Sequence, residues 1–249
     1  VFVPLLVDDL DQFLQAFQGH DFHGFSVTIP HKESAFKAVA SCDPVAAQIG
    51  ACNTLIKQDN GSFKGYNTDW IAAISAVERV LAAGSSEAAA ATYQLEASTS
   101  GRSDPGPAGQ SGSPLAGKTF LVVGAGGAGR ALAFGAASRG AQVLIANRNR
   151  ARADALAAAL PGGATVVDWE QLQSGDVEAD VVANSTSVGM VPNVEETPVA
   201  TGAVCKVRGL RHMFDYGNRL GWLSWARGAS WAWSLAHWLA PRLLNGLLS

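Results

Sequence analysis

Residues 118–123, Lys-Thr-Phe-Leu-Val-Val, form a near-continuous apolar run that ends at Gly124-Ala125-Gly126-Gly127-Ala128-Gly129. No other feature of the chain limits its fold so tightly. A short apolar run of this kind suits a strand covered on both faces, the condition of a parallel sheet. The glycine turn leads directly into an Ala- and Leu-rich segment, so the pattern is strand, tight turn, helix over 128–139. Gly140 is a plausible helix stop, and residues 142–146 are the next strand. A helix over 151–160 and strands over 165–167 and 180–183 follow. This βαβαβ order predicts a right-handed, doubly wound parallel unit of Rossmann type.

The glycines have separate duties in such a turn. Gly124 permits the tight bend, Gly126 lets backbone approach a pyrophosphate, and Gly129 lets the helix pack close to the strand. The helix start offers free N–H groups and a partial positive charge to phosphate. After the second strand stands Asn147-Arg148-Asn149-Arg150-Ala151-Arg152. It holds no acid to bind ribose hydroxyls, and three arginines fall within five residues. Guanidinium groups suit bidentate phosphate binding, so NADP is expected rather than NAD. The alternative is that these arginines solvate the first turn of a helix. Asn184-Ser185-Thr186-Ser187-Val188-Gly189-Met190 follows a strand end. Its polar groups could meet the cofactor, or could simply form a capped turn.

The preceding part is α/β as well. Residues 1–3 look like a short strand, 7–17 like an amphipathic helix, and 25–29 like a strand ended by Pro30. A helix is expected over 32–40. Paired strands over 50–56 and 62–66 flank Asp59-Asn60-Gly61, a hairpin signal. A helix over 70–81 is capped by Asn67, Thr68 or Asp69. Lys32 and Asp69 thus each stand at a helix start, where the dipole disfavours a cation and favours an anion. If both starts point into one cleft, the pair can move a proton to or from a hydroxyl. On residue type alone, a surface lysine and an ordinary N-cap aspartate are the better explanation.

Composition bounds the remainder. A net charge of −3 is too small to suggest nucleic acid as a partner. Charge is uneven: residues 206–249 carry six Lys+Arg and one Asp+Glu. Three cysteines make no CxxC pair, and His20 and His23 lack a third ligand at metal spacing, so neither disulfides nor a metal site is expected. Residues 82–114 include 25 Ala, Ser, Thr, Gly or Pro among 33 positions and read as a flexible insertion or interdomain linker. Five of the seven tryptophans fall within 222–238. The uncharged stretch 228–240 there is too short to span a bilayer, so no membrane role is expected. The expected organisation is a substrate-binding and catalytic domain over 1–81, the insertion over 82–114, a nucleotide-binding domain over 115–203, and an atypical Trp- and Arg-rich tail over 204–249.

Six segments stand in the order found in shikimate dehydrogenases: Val27-Thr28-Ile29-Pro30-His31-Lys32, Gly50-Ala51-Cys52-Asn53-Thr54, Gly65-Tyr66-Asn67-Thr68-Asp69, the glycine loop, Asn147-Arg148-Asn149-Arg150, and 184–190. The chain resembles that family over roughly residues 1–200. It looks closest to the plant type, in which this module follows a dehydroquinate dehydratase in one polypeptide. The resemblance implies reversible reduction of 3-dehydroshikimate to shikimate with NADPH, in the route to chorismate and the aromatic amino acids. It implies Lys32 and Asp69 as the catalytic pair, with Thr28 and Asn53 holding substrate hydroxyls. Gly124, Ala125, Gly126, Gly127, Ala128 and Gly129 match the pyrophosphate loop, and Asn147, Arg148 and Arg152 the adenosine-phosphate clamp. Thr186 and Met190 fall in the loop near the nicotinamide. The implied location is the plastid stroma for a plant or algal source, otherwise the cytoplasm.

Two departures stand against the family pattern. The Ser-x-Ser strand that grips the substrate carboxylate is not found, so the substrate domain reads as N-terminally incomplete. The usual Tyr motif and Gly-Gln-Ala helix near the C-terminus are replaced by the tail. These departures favour one alternative, a catalytically dead fragment that keeps nucleotide binding; the other, a quinate/shikimate dehydrogenase using NAD, is opposed by the missing acid after Ala146.

Overall fold

The computed structural model describes residues 2–17, 19–83, 112–189, 196–199 and the backbone of 212–215. Two compact units are present, one ending at Asp69 and one taking in the described residues from Trp70 on.

In the first unit, α1 (Leu10–Phe17) begins three residues later than its apolar spacing suggests. Asp9 sets that start: its carboxylate accepts from Gln12 N at 3.0 Å and its carbonyl from Phe13 N at 3.1 Å. The apolar stripe buries Leu10 and Leu14, while the Phe13 ring meets Phe25 edge-on at 5.0 Å. Then follow β1 (Gly24–Ser26), α2 (Lys32–Ala38), β2 (Ser41–Cys42), α3 (Pro44–Ile49), β3 (Thr54–Lys57) and β4 (Phe63–Tyr66). The sheet order is β1-β3-β4-β2, antiparallel except for the β2–β4 pair. The hairpin signal is met: β3 and β4 pair across Gly61, whose φ of +81° suits glycine.

The strand expected over residues 1–3 is corrected. Residues 2 and 3 lie in coil, because their β-rich side chains find no ladder among the described strands. β2 and α3 were not expected. α3 is fixed by its ends: Asp43 is the N-cap, Pro44 opens the first turn, and Gly50 closes it at φ +71°.

The core of this unit gathers Leu10, Leu14, Val27, Ala35, Ala46, Cys52, Leu55 and Phe63. Cys52 is fully buried, and a Cβ on Gly65 would meet its Sγ at 2.5 Å. Burial pushes the Cys52 thiol from the ordinary 9.0 up to about 12, with smaller contributions from Cys42 and Asp43. The thiol therefore favours the folded state below pH 9.0, and that contribution is lost as pH rises through about 12. Cys52 is expected to resist alkylation by iodoacetamide at about pH 8 until denaturant is added. Peptide mass spectrometry reads this, and rapid labelling of the native protein contradicts it.

The second unit holds a five-stranded parallel sheet in the order β7-β6-β5-β8-β9. Its strands are β5 (Thr119–Val123), β6 (Gln142–Ala146), β7 (Thr165–Val167), β8 (Val181–Asn184) and β9 (His212–Asp215). Among the described residues, four further helices follow: α4 (Asp69–Ala83), α5 (Gly127–Ser138), α6 (Arg150–Ala159) and α7 (Trp169–Ser174). The order reverses on either side of β5, as a doubly wound sheet requires. β6 and β7 have the expected bounds. Gly140, at φ +79°, follows the C-cap residue Arg139. α7 was not expected; it is a six-residue helix between Asp168 and the left-handed Gly175. Apolar residues of β5, β6, β7, β8 and α7 form one core, with Leu121, Val123, Ala146, Val167, Leu172 and Val182.

Beyond Asp69, α4 packs on α5, which is why the first unit ends before residue 81. Gly135 makes room for Ile74, whose Cγ1 lies 2.5 Å from where a Cβ would sit. Trp70 meets Phe134 edge-on at 5.7 Å. Buried Arg139 reaches Glu78 at 3.3 Å and stands 5.8 Å over the Trp70 ring. Glu78 also accepts from Ser113 Oγ at 2.7 Å. Residues 84–111, most of the expected insertion, lie outside the described residues. So does the expected tail, apart from β9, which extends the sheet beside β8.

Candidate active site

Lys32 is the first residue of α2 and Asp69 the first of α4. The fold brings them together: Lys32 Nζ donates to Asp69 Oδ2 at 2.8 Å. Both side chains are buried, 11% and 5% exposed. A charge pair withdrawn this far from water needs further hydrogen bonds to offset its desolvation. Asn53 supplies one, donating from Nδ2 to Asp69 Oδ1 at 2.9 Å and also to Thr68 Oγ1 at 2.9 Å. Its Oδ1 accepts from Thr68 N at 3.0 Å, so the amide orientation is fixed from both ends. The start of α4 adds favourable field for the carboxylate.

The backbone holds the same group in register. Cys52 N donates to Lys32 O at 2.9 Å, and Asn53 N donates to Tyr66 O at 3.0 Å. Asn67 stands where the sequence predicts a cap for α4. It proves to be a brace, accepting from Asp69 N at 3.1 Å and donating to Ala51 O at 2.9 Å. Thr68 was missed as a partner of Asn53, although the hydroxyl before an acid at a helix start signals such local bonding. Thr28 lies on the exposed turn between β1 and α2, where its carbonyl accepts from His31 N at 3.0 Å.

In the second unit, the glycine loop joins β5 to α5. Gly124 has φ +110°, and a Cβ there would come within 2.5 Å of Ser185 Oγ. A Cβ on Gly129 would stand 2.1 Å from Gly124 O. Protein packing therefore demands both glycines. Gly126 differs: its φ is −87°, and a Cβ would meet nothing within 4 Å. It is also the N-cap of α5, and no side chain caps the helix. Open space over uncapped N–H groups is what a pyrophosphate requires, so this loop fits the group. Ala125 and Ala128 complete the loop, and Gly127 opens the helix.

The residues after β6 close on that loop. Asn147 Oδ1 accepts from Ala125 N at 3.2 Å, and Arg152 Nη2 donates to Ala125 O at 3.2 Å. Arg148 is exposed beside them in sequence. Asn149 is the N-cap of α6, accepting from Arg152 N at 3.2 Å. Thr186 makes the capped turn: its Oγ1 donates to buried Asn184 Oδ1 at 2.7 Å and accepts from Val188 N at 3.2 Å. Met190 lies outside the described residues. Among the described residues, no three His, Cys, Asp or Glu side chains are grouped to hold a metal ion, and no helix is long and apolar enough to cross a membrane.

Residues 1–55 match the family model described as the shikimate dehydrogenase substrate binding domain, and residues 108–215 match shikimate / quinate 5-dehydrogenase. The chain belongs to the shikimate dehydrogenase family. The family match runs to residue 215, past the limit near 200 expected from motifs, and takes in β9. A bifunctional 3-dehydroquinate dehydratase/shikimate dehydrogenase, chloroplastic, of Arabidopsis thaliana is 47% identical over 206 residues, covering 82% of this chain and 31% of the relative. Shikimate dehydrogenase (NADP(+)) of Moorella thermoacetica is 36% identical, covering 77% of this chain and 56% of the relative. The Thermus thermophilus enzyme solved with NADP(H) and shikimate is 28% identical at a TM-score of 0.57, covering 85% of this chain and 64% of that one. The chain thus spans less than two thirds of these shikimate dehydrogenase relatives.

Proposed function

We propose that the chain is the dehydrogenase module of an NADPH-dependent shikimate dehydrogenase, which reduces 3-dehydroshikimate reversibly to shikimate. The observation that carries this reading is the buried Lys32–Asp69 pair braced by Asn53, in a chain that also presents an open glycine loop. Residues before the insertion form the substrate-binding part in this reading, and 115–203 the cofactor-binding part. The name of the Arabidopsis relative, bifunctional and chloroplastic, supports a fusion to dehydroquinate dehydratase and a plastid location as the corresponding context.

The roles follow from chemistry. A nicotinamide cofactor, when bound, supplies the hydride. Lys32 holds the proton that the ketone oxygen must gain during reduction, and takes it back in the reverse direction. An ammonium has three donors, and Asp69 fixes the direction of one of them. Asp69 also balances the charge, so Lys32 stays buried at modest cost. Asn53 keeps the second carboxylate oxygen from turning away. Thr28 and Asn53 are assigned to substrate hydroxyls. Gly126 and the start of α5 are assigned to the pyrophosphate, with Asn147, Arg148 and Arg152 on the adenosine phosphate and Thr186 and Met190 near the nicotinamide.

The test is NADP reduction by the purified protein with shikimate, quinate or neither. Turnover with shikimate and NADP, above that with quinate or NAD, is the expected result. Nucleotide binding without turnover on either acid would reject the enzyme reading in favour of a silent fragment.

A further inference from the structure

The three arginines after β6 are not equivalent. Arg152 is tied to the glycine loop, and Arg148 stands exposed. Arg150 is engaged elsewhere. Its Nε donates to Asp154 Oδ1 at 2.9 Å, and its Nη1 pairs with Asp168 Oδ1. Asp154 lies one turn further along α6, while Asp168 directly follows β7 and is the N-cap of α7. β7 is the edge strand beside β6 and parallel to it. Two carboxylates, one from each connection, are thus gathered at the strand ends that carry the arginine cluster.

We propose that Arg150 determines the preference for a 2′-phosphorylated dinucleotide by neutralising Asp154 and Asp168, not by gripping the phosphate. The inference rests on the NADP reading above. Arg148, Arg150 and Arg152 against Asp154 and Asp168 leave a local charge of +1, and removal of Arg150 leaves zero. A phosphate monoester brings about −1.5 to −2 near neutral pH, so it responds to that change far more than a ribose hydroxyl does. Of the five guanidinium N–H donors of Arg150, one on Nε and one on Nη1 are already on carboxylates, so the side chain is anchored on Asp154 and Asp168 and its charge offsets theirs. All three side chains are exposed, so salt screens the effect.

The experiment measures dissociation constants for NADPH and NADH by calorimetry, at low and high salt, in the wild type, Arg150→Ala, Asp168→Asn and the double variant. Asparagine still serves as an N-cap, so Asp168→Asn preserves α7; thermal melts check each variant. Arg150→Ala should weaken NADPH about 3- to 10-fold at low salt and leave NADH unchanged, with a smaller loss at high salt. Adding Asp168→Asn should recover most of the loss. An Arg150→Ala protein with unchanged NADPH affinity overturns the proposal. So does a double variant as weak as Arg150→Ala, which would mean a direct phosphate grip. A wild type that does not prefer NADPH to NADH fails earlier and overturns the NADP reading itself, with the proposal.

Discussion

Lys32→Met should lower shikimate turnover by roughly 10²- to 10⁴-fold, the usual contribution of a positioned acid–base group. Methionine fills the volume of the lysine stem without its proton. NADPH affinity should not change, because the glycine loop and its arginines belong to a different unit from Lys32. Stability should fall as well, since Asp69 keeps Asn53 but loses its buried counter-charge. Breaking such a pair costs about 3–5 kcal/mol, less whatever Asn53 and the helix start retain. Asp69→Asn supplies the contrast: it can still accept from Lys32, yet it no longer balances the charge. Stopped-flow turnover with calorimetric cofactor binding separates these effects. A Lys32→Met enzyme that is folded, binds NADPH and turns over at the normal rate would remove Lys32 from the mechanism.

Gly129→Ala and Gly126→Ala should fail in opposite ways, although they sit three residues apart in one motif. The new methyl at 129 would lie 2.1 Å from Gly124 O and 2.8 Å from Ser185 Oγ. Backbone cannot yield there without moving α5 off β5. A cost of about 3 kcal/mol is expected, with the melting temperature lowered by roughly 6–12 °C. At 126 the methyl enters open space on an ordinary backbone, so stability should be unchanged or raised by about 0.4–1 kcal/mol. The same methyl would stand where a pyrophosphate must approach, weakening NADPH about tenfold or more, ~1.4 kcal/mol. Thermal melts and NADPH titrations of both variants decide it. Normal NADPH affinity in Gly126→Ala would count against the loop as the phosphate site.

The second unit was the more legible because its signals are local. β5 is a continuous apolar run, and the glycines that end it are demanded by contacts within the same turn. The short elements escaped notice because they owe their existence to their ends, not to periodicity. α3 has six residues, yet Asp43, Pro44 and Gly50 announce both of its termini. α7 is the same case, with Asp168 and Gly175. Residues 2 and 3 show the reverse error: β-rich side chains make a strand only where a ladder awaits them. The Lys32–Asp69 bond joins residues 37 apart, and nothing in either helix start encodes that meeting. Only the order of motifs implied it. The three arginines looked alike as letters, because what separates Arg150 from the others is an acid brought over from the next strand.

The Ser113–Glu78 hydrogen bond has an evolutionary consequence. Glu78 lies five residues from the end of α4, about 7.5 Å along the helix axis. The chain therefore leaves α4 and returns at Ser113 through two points that are pinned close together. Any segment able to bridge that short gap closes the loop, and closure entropy grows only with the logarithm of length. Cutting residues 84–111 from 28 to about ten positions would change the closure cost by only about 0.9 kcal/mol. Folding thus exerts almost no selection on how long this stretch is. Insertions or deletions there can lengthen or shorten it at little cost in closure entropy to the protein on either side.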